Sequence, residues 1–135
     1  MIAERKRTMD DKEQHERGLK LRVEMFGREA VDKRMAAFGE FGKPLQHIIN
    51  AYAYGDVWQR SALPAGMKSL VMVGMMAGAG HPNELRVHLN GALKNGCTPE
   101  QIQEVLLLLA LYCGIPAANQ AHAIAVEVLR EYGKM

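Results

Sequence analysis

The stretch HPNELRVHLNGALKNG, residues 81–96, decides the fold that we expect for this chain. Pro82 suits the first turn of a helix, where its missing N–H costs nothing, and Asn95-Gly96 is typical of a helix C-terminus. Between them, four side chains recur at the i, i+3, i+4 and i+7 spacing of a single helix face: Leu85, His88, Leu89 and Ala92. The stretch therefore predicts an amphipathic helix with its apolar face turned inward.

A histidine inside that apolar face is the most chemically suggestive feature of the sequence. Glu84 precedes His88 by four residues, so on a helix the carboxylate lies within reach of the imidazole. A carboxylate that orients and charges an imidazole favours a general acid or base. The alternative is a satisfied core histidine with no chemical role.

Composition limits the class of protein. The 135 residues, predicted to form one domain, carry 17 basic and 15 acidic side chains, a balance that argues against nucleic-acid binding. The longest apolar run, residues 70–79, is too short to span a bilayer. With no signal peptide recognised, Cys97 and Cys113 are expected to be reduced packing residues in a cytoplasmic protein.

The rest of the chain predicts further helices and no strands. Residues 45–54 read as a helix whose inward side chains are Leu45, Ile48, Ile49 and Tyr52. Residues 67–80 and 102–112 are apolar on nearly every face, which predicts helices buried on all sides. The interpretation is an all-α bundle of about six to seven helices, and its surplus of apolar surface favours a homo-oligomer.

A connection at residues 56–63 carries both a large aromatic side chain, Trp58, and a guanidinium, Arg60. Loops with such side chains are more often binding elements than bare linkers. The alternatives are an ion pair between Arg60 and Asp56, and a core or interface role for Trp58.

Four segments resemble the γ-carboxymuconolactone decarboxylases, of the alkylhydroperoxidase D-like superfamily: GLKLRVEMFG at 18–27, GDVWQR at 55–60, ELRVHLNGALKNGCTPEQIQEVLL at 84–107 and LYCGIPAANQA at 111–121. The resemblance covers residues 18–133, which we take as the helical domain, and leaves residues 1–17 as a charged extension. It implies an alkylhydroperoxidase D-like helical fold that assembles as a hexamer. The C-x-x-C of the thiol peroxidase branch is missing, so peroxidase chemistry is not expected.

The resemblance implies loss of CO2 from 4-carboxymuconolactone, giving an enol-lactone in the β-ketoadipate pathway of aromatic catabolism, without a cofactor or metal. We expect His88 to donate the proton and Glu84 to orient it. Arg60 is the first candidate to hold the substrate carboxylate, Arg22 the second, and Trp58 a candidate wall of the site. No nucleic acid or membrane partner is expected.

The sequence also departs from that family. Ser61 and Ala62 follow Arg60 where Pro-Gly is usual, Lys68 alone is basic near Gly66, and His81 and His122 are unexpected. These departures lie around the expected site, so they bear on the substrate more than on the reaction type.

Other functions stay open at this point. His81, Glu84 and His88 fall on one stripe and could bind zinc, although His81 precedes Pro82 and the spacing is not H-E-x-x-H. A cofactor-free lactone isomerase or hydrolase could use the same Glu84–His88 pair. A non-catalytic helical oligomer is the third class.

Overall fold

The computed structural model describes residues 10–135, and within them every regular element is a helix. There are seven α-helices in that range: α1 Asp11–Phe26, α2 Arg28–Ala36, α3 Lys43–Ile48, α4 Ala65–Ala79, α5 Pro82–Lys94, α6 Pro99–Cys113 and α7 Ile115–Glu131. The predicted all-α class and helix number are thus confirmed. None of these helices is long and apolar enough to cross a membrane.

The chain forms two compact units, of which the first ends at Ser61 and the second is Ala62–Met135. The boundary that we predicted between residues 17 and 18 falls inside α1, whose N-terminus is capped by the Asp10 carboxylate accepting from the Glu13 N–H at 2.8 Å.

In the first unit, α1 and α2 are joined by one glycine, Gly27, whose φ of 91° is readily available only to glycine. A 3₁₀ turn, Gly39–Gly42, leads into α3, which continues directly as a π-helical segment, Ile49–Tyr54. This π-segment packs against α1, and a second 3₁₀ turn, Val57–Gln59, follows it.

The second unit is a four-helix core in which α4, α5, α6 and α7 contact one another. Thr98 and Gln101 form the predicted capping box at the start of α6, with hydrogen bonds of 2.9 and 3.1 Å. Arg86 of α5 forms ion pairs with Glu127 and Glu131 of α7. The core is built from leucine, isoleucine, valine and alanine side chains, and α5 contributes the most buried residues of the four helices.

Two predictions about buried faces are wrong for the single chain. On residues 45–54, Leu45, Ile48 and Tyr52 are exposed, whereas Gln46, Asn50, Ala51 and Tyr54 are buried. The physical reason is that this face meets a buried arginine of α1, which needs polar partners more than apolar ones.

Helices α4 and α6 are also not buried on all sides. Each buries one stripe against the core and leaves another apolar stripe exposed, namely Met67, Val71 and Met75 on α4 and Leu107, Leu108, Leu111 and Tyr112 on α6. Four helices can cover each member on only part of its circumference, so an apolar helix in this small unit keeps an uncovered side.

Candidate functional site

His88 lies where the helical pattern of α5 predicts it, on the inward face. The residue is 7% exposed, and its Nδ1 atom is buried. Leu85, Leu89 and Ala92 on the same face are buried in the core of the second unit. Glu84 lies one turn earlier on α5 and is exposed. Glu84 and His88 thus share one stretch of α5 at the i, i+4 spacing that permits a contact, with the carboxylate exposed and the imidazole buried.

His81 does not extend this pair into a metal site. It occupies the N-cap position of α5, just outside the helix, and its side chain is exposed. Across residues 10–135, no group of three His, Cys, Asp or Glu side chains has the geometry to hold a metal ion. The zinc alternative for His81, Glu84 and His88 has no support from these residues.

Arg22 is the most unusual charged residue of the first unit. It is only 4% exposed, and its Nη1 donates to Oε1 of Gln46 at 2.8 Å and to Oδ1 of Asn50 at 3.0 Å. Burial lowers the pKa of the guanidinium; Tyr54 acts in the opposite direction, and Arg34 lowers the pKa further. A buried cation held by two neutral amides is a candidate receptor for an anion.

An aromatic cluster centred on Tyr54 lies beside this arginine. The guanidinium carbon lies 5.7 Å from the ring centre of Tyr54. Trp58 stacks on the Tyr54 ring, with ring centres 5.8 Å apart. Phe26 meets the Tyr54 ring edge-on, with ring centres 5.7 Å apart. Burial raises the pKa of the Tyr54 phenol, partly offset by Arg22 and Arg34. Tyr54 thus links two predicted site residues, Arg22 and Trp58.

Arg60, our first candidate for the anchor, lies in a different setting. Its side chain is 71% exposed, and its Nε pairs with Oδ1 of Asp56 at 3.3 Å. The ion pair that the sequence offered as an alternative is therefore present. It does not exclude a substrate contact, because an exposed pair contributes little and exchanges readily.

Sequence reasoning missed Gln46, Asn50, Tyr54 and Arg34. The signal was available, since Gln46, Asn50 and Tyr54 are spaced four apart along one helical segment. The apolar residues beside them gave an equally regular stripe, and only the partner helix decides which of the two faces is buried.

The cysteines and His122 have local roles. Cys97 is buried, its Sγ donates to the Gly66 carbonyl at 3.3 Å, and burial raises the pKa of the thiol, all of which favour packing. Cys113 is exposed. Nδ1 of His122 donates to the Ala118 carbonyl one turn earlier on α7 at 2.7 Å.

The chain is similar to known proteins over most of its length. The model of the carboxymuconolactone decarboxylase family matches residues 43–127. The 4-carboxymuconolactone decarboxylase of Acinetobacter baylyi is 34% identical over 125 residues, 93% of this chain and 93% of the relative. Nitrosuccinic acid decarboxylase npaB of Metarhizium robertsii is 33% identical over 114 residues, 84% of this chain and 80% of the relative.

Proposed function

The chain belongs to the carboxymuconolactone decarboxylase family and is a decarboxylase, and we propose that it removes CO2 from 4-carboxymuconolactone or a related carboxylated lactone. The product is an enol-lactone of aromatic-compound catabolism. The observation that carries the proposal is a titratable imidazole, His88, on the buried face of a family member's amphipathic helix.

The substrate supplies its own electron sink. When CO2 leaves a carboxylated unsaturated lactone, the electron pair of the broken C–C bond flows through the ring double bond onto the lactone carbonyl. Protonation at carbon then completes the reaction, so the chemistry requires no cofactor. The protein must bind the carboxylate that stays, stabilise the developing negative charge and deliver one proton.

His88 is the proton donor in this proposal, and Glu84 is the group that orients it and favours its charged form. Imidazole is suited to the work because its two ring nitrogens let it hold a proton on one side and deliver it from the other. A positioned general acid typically contributes about 10²–10⁴-fold to the rate.

The carboxylate that stays needs a cation to bind it. A guanidinium binds a carboxylate through two parallel hydrogen bonds, so the candidates are Arg22 and Arg60. Arg22 has the stronger support, because it is buried and its protein partners are neutral, whereas Arg60 is exposed and paired with Asp56. Trp58, stacked on Tyr54, is the proposed apolar wall.

The substrates named for the two related enzymes agree with this chemistry. Carboxymuconolactone and nitrosuccinic acid each bear more than one carboxyl group, and each has an electron-withdrawing group that can accept the electron pair. We therefore place the substrate of this chain among polycarboxylates whose departing carboxylate is conjugated or adjacent to such a group.

The test is CO2 release from a panel containing 4-carboxymuconolactone, other carboxylated lactones and nitrosuccinate, with a chelator present throughout. We expect stoichiometric CO2 and enol-lactone from a carboxylated lactone, unaffected by the chelator. Proton exchange or ring opening without CO2 would favour an isomerase or hydrolase instead. Activity restored only by added zinc would contradict the metal-free mechanism.

We also propose that the chain works as a homo-oligomer. The exposed apolar stripes of α4 and α6 border a groove of about 440 Å³, lined by Leu70, Val71, Met75, Val105, Leu108 and Tyr112 among others. Apolar surface of this extent is typical of an interface. A second copy of the chain, carrying the same stripes, is the partner that a symmetric contact requires.

A further inference from the structure

The buried guanidinium of Arg22 has no carboxylate partner among the residues that the structure describes. Its protein acceptors are two amide oxygens, which align the group without neutralising it. Burying a charge is costly unless it is paired with an opposite charge. The neighbourhood makes the cost larger, because Arg34 is close enough for its positive charge to lower the pKa of Arg22.

The geometry of the guanidinium shows which edge remains for a ligand. Both hydrogen bonds to Gln46 and Asn50 leave from Nη1. Within the described part of the chain, Nε and Nη2 bond to no protein acceptor. These two nitrogens form the side of the guanidinium whose N–H bonds are parallel, and that side matches the two oxygens of a carboxylate.

Local structure explains why the two amides are so well placed. Gln46 lies on α3 and Asn50 on the π-segment that continues it, four residues later, and both are buried. Single π-helical turns are often found at functional sites. The ring of Tyr54, four residues further on, lies beneath the guanidinium carbon, so the same helical segment supplies both amides and the ring.

We propose that Gln46 and Asn50 are positioning residues that hold Arg22 as a receptor for a carboxylate of the ligand. Neutral amides are required there, because an acidic side chain at either position would occupy the charge that the ligand uses. The receptor role rests on the proposed function only in naming the ligand. In that function, the bound carboxylate is the one that the substrate keeps after CO2 leaves. The substrate is therefore at least a dicarboxylate.

The experiment exchanges the neutral acceptor for a charged one of nearly the same shape. Succinate binding is measured by calorimetry on the full-length wild type, Gln46→Glu and Asn50→Asp. The matched control is Gln120→Glu, the same change at an exposed position of α7. Succinamide, which has the shape of succinate but no charge, is the control ligand.

We expect the wild type and Gln120→Glu to bind succinate equally and succinamide not at all. Gln46→Glu and Asn50→Asp should each weaken succinate binding about tenfold or more, equivalent to about 1.4 kcal/mol. With the decarboxylase substrate, the same variants should raise KM by a similar factor and leave kcat nearly unchanged, because the reacting end of the substrate does not contact the amides.

The proposal is overturned if the wild type fails to bind succinate, or if folded Gln46→Glu and Asn50→Asp bind it as the wild type does. Failure of the proposed decarboxylase function is measured separately, by CO2 release. A protein that releases no CO2 from any carboxylated lactone, yet binds succinate in this charge-dependent way, loses the proposed substrate and keeps the receptor.

Discussion

Arg22 and Arg60 carry the same charge and differ in almost everything else. Arg22 is 4% exposed and contacts two amides and a tyrosine ring. The Arg60 side chain is 71% exposed and forms an ion pair with Asp56. The energetic value of a guanidinium for a carboxylate rises as water is excluded. Burial therefore makes Arg22 the stronger candidate to bind the substrate carboxylate.

Arg60→Ala separates a binding role from a surface ion pair. If Arg60 contacts the substrate, removal of an exposed charge-assisted contact should raise KM about 3–10-fold with little change in kcat. Arg60→Lys should recover only part of the loss, because an ammonium lacks the two-pronged geometry. Steady-state kinetics decide the question, and unchanged KM and kcat in Arg60→Ala would remove it from the site.

The candidate site residues show how much the sequence alone could predict. The buried position of His88 was predictable, because an amphipathic helix with clear start and stop signals fixes which residues face inward. The proton relay with Glu84 stays a prediction. The contact of Arg22 with Gln46 and Asn50 was not found, because it joins residues 24 and 28 positions apart. No local pattern states which face of residues 45–54 meets α1, and the apolar stripe was the wrong choice.

At the scale of helices, the close approach of α1 to the π-segment shapes the first unit. A Cβ added at Gly18 would lie 1.5 Å from the Asn50 carbonyl oxygen and 2.6 Å from the Gly55 nitrogen. The side chain of Gln14, one turn earlier on α1, donates to the Ala51 carbonyl at 2.7 Å. Backbone contact of this kind requires glycine, and it brings Arg22 to its two amides.

Gly18→Ala should therefore destabilise the protein by about 3 kcal/mol, the upper end of the cost of overpacking, because backbone atoms must move. Gly66→Ala is the matched control, since a Cβ at that helical position meets Cys97 Sγ and the Asn95 carbonyl at ordinary distances of 3.5 and 3.6 Å. Denaturant unfolding followed by circular dichroism measures both. Equal stabilities of the two variants would contradict the close approach.

At the scale of the whole molecule, exposed apolar side chains are the dominant feature. Leu111 is 79% exposed and Tyr112 is 84% exposed, and Tyr112 lines the same groove as Val71 and Met75 of α4. The sequence predicted that apolar surface would remain uncovered, because a chain of 135 residues cannot bury two helices that are apolar on every side. It could not show which stripe of each helix stays exposed, because that depends on the packing of all four helices.

The protein should therefore sediment at micromolar concentration as a trimer or hexamer. Leu111→Asp should shift it toward smaller species, because a carboxylate would be buried in the apolar contact. Gln120→Asp, which adds the same charge at an exposed polar position of α7, should not. A 15.0 kDa wild-type species with full helicity would refute the assembly.

The role of His88 is the central claim, and the rate of CO2 release by His88→Asn tests it most directly. The variant should assemble and keep its helicity, yet lose about 10²–10⁴-fold in kcat, because an amide cannot deliver the proton. Glu84→Gln, assayed in parallel, should lose less, because in the proposed mechanism an amide can still hydrogen-bond to the imidazole while the charge that favours imidazolium is gone. An assembled His88→Asn protein that releases CO2 at the wild-type rate would contradict the mechanism.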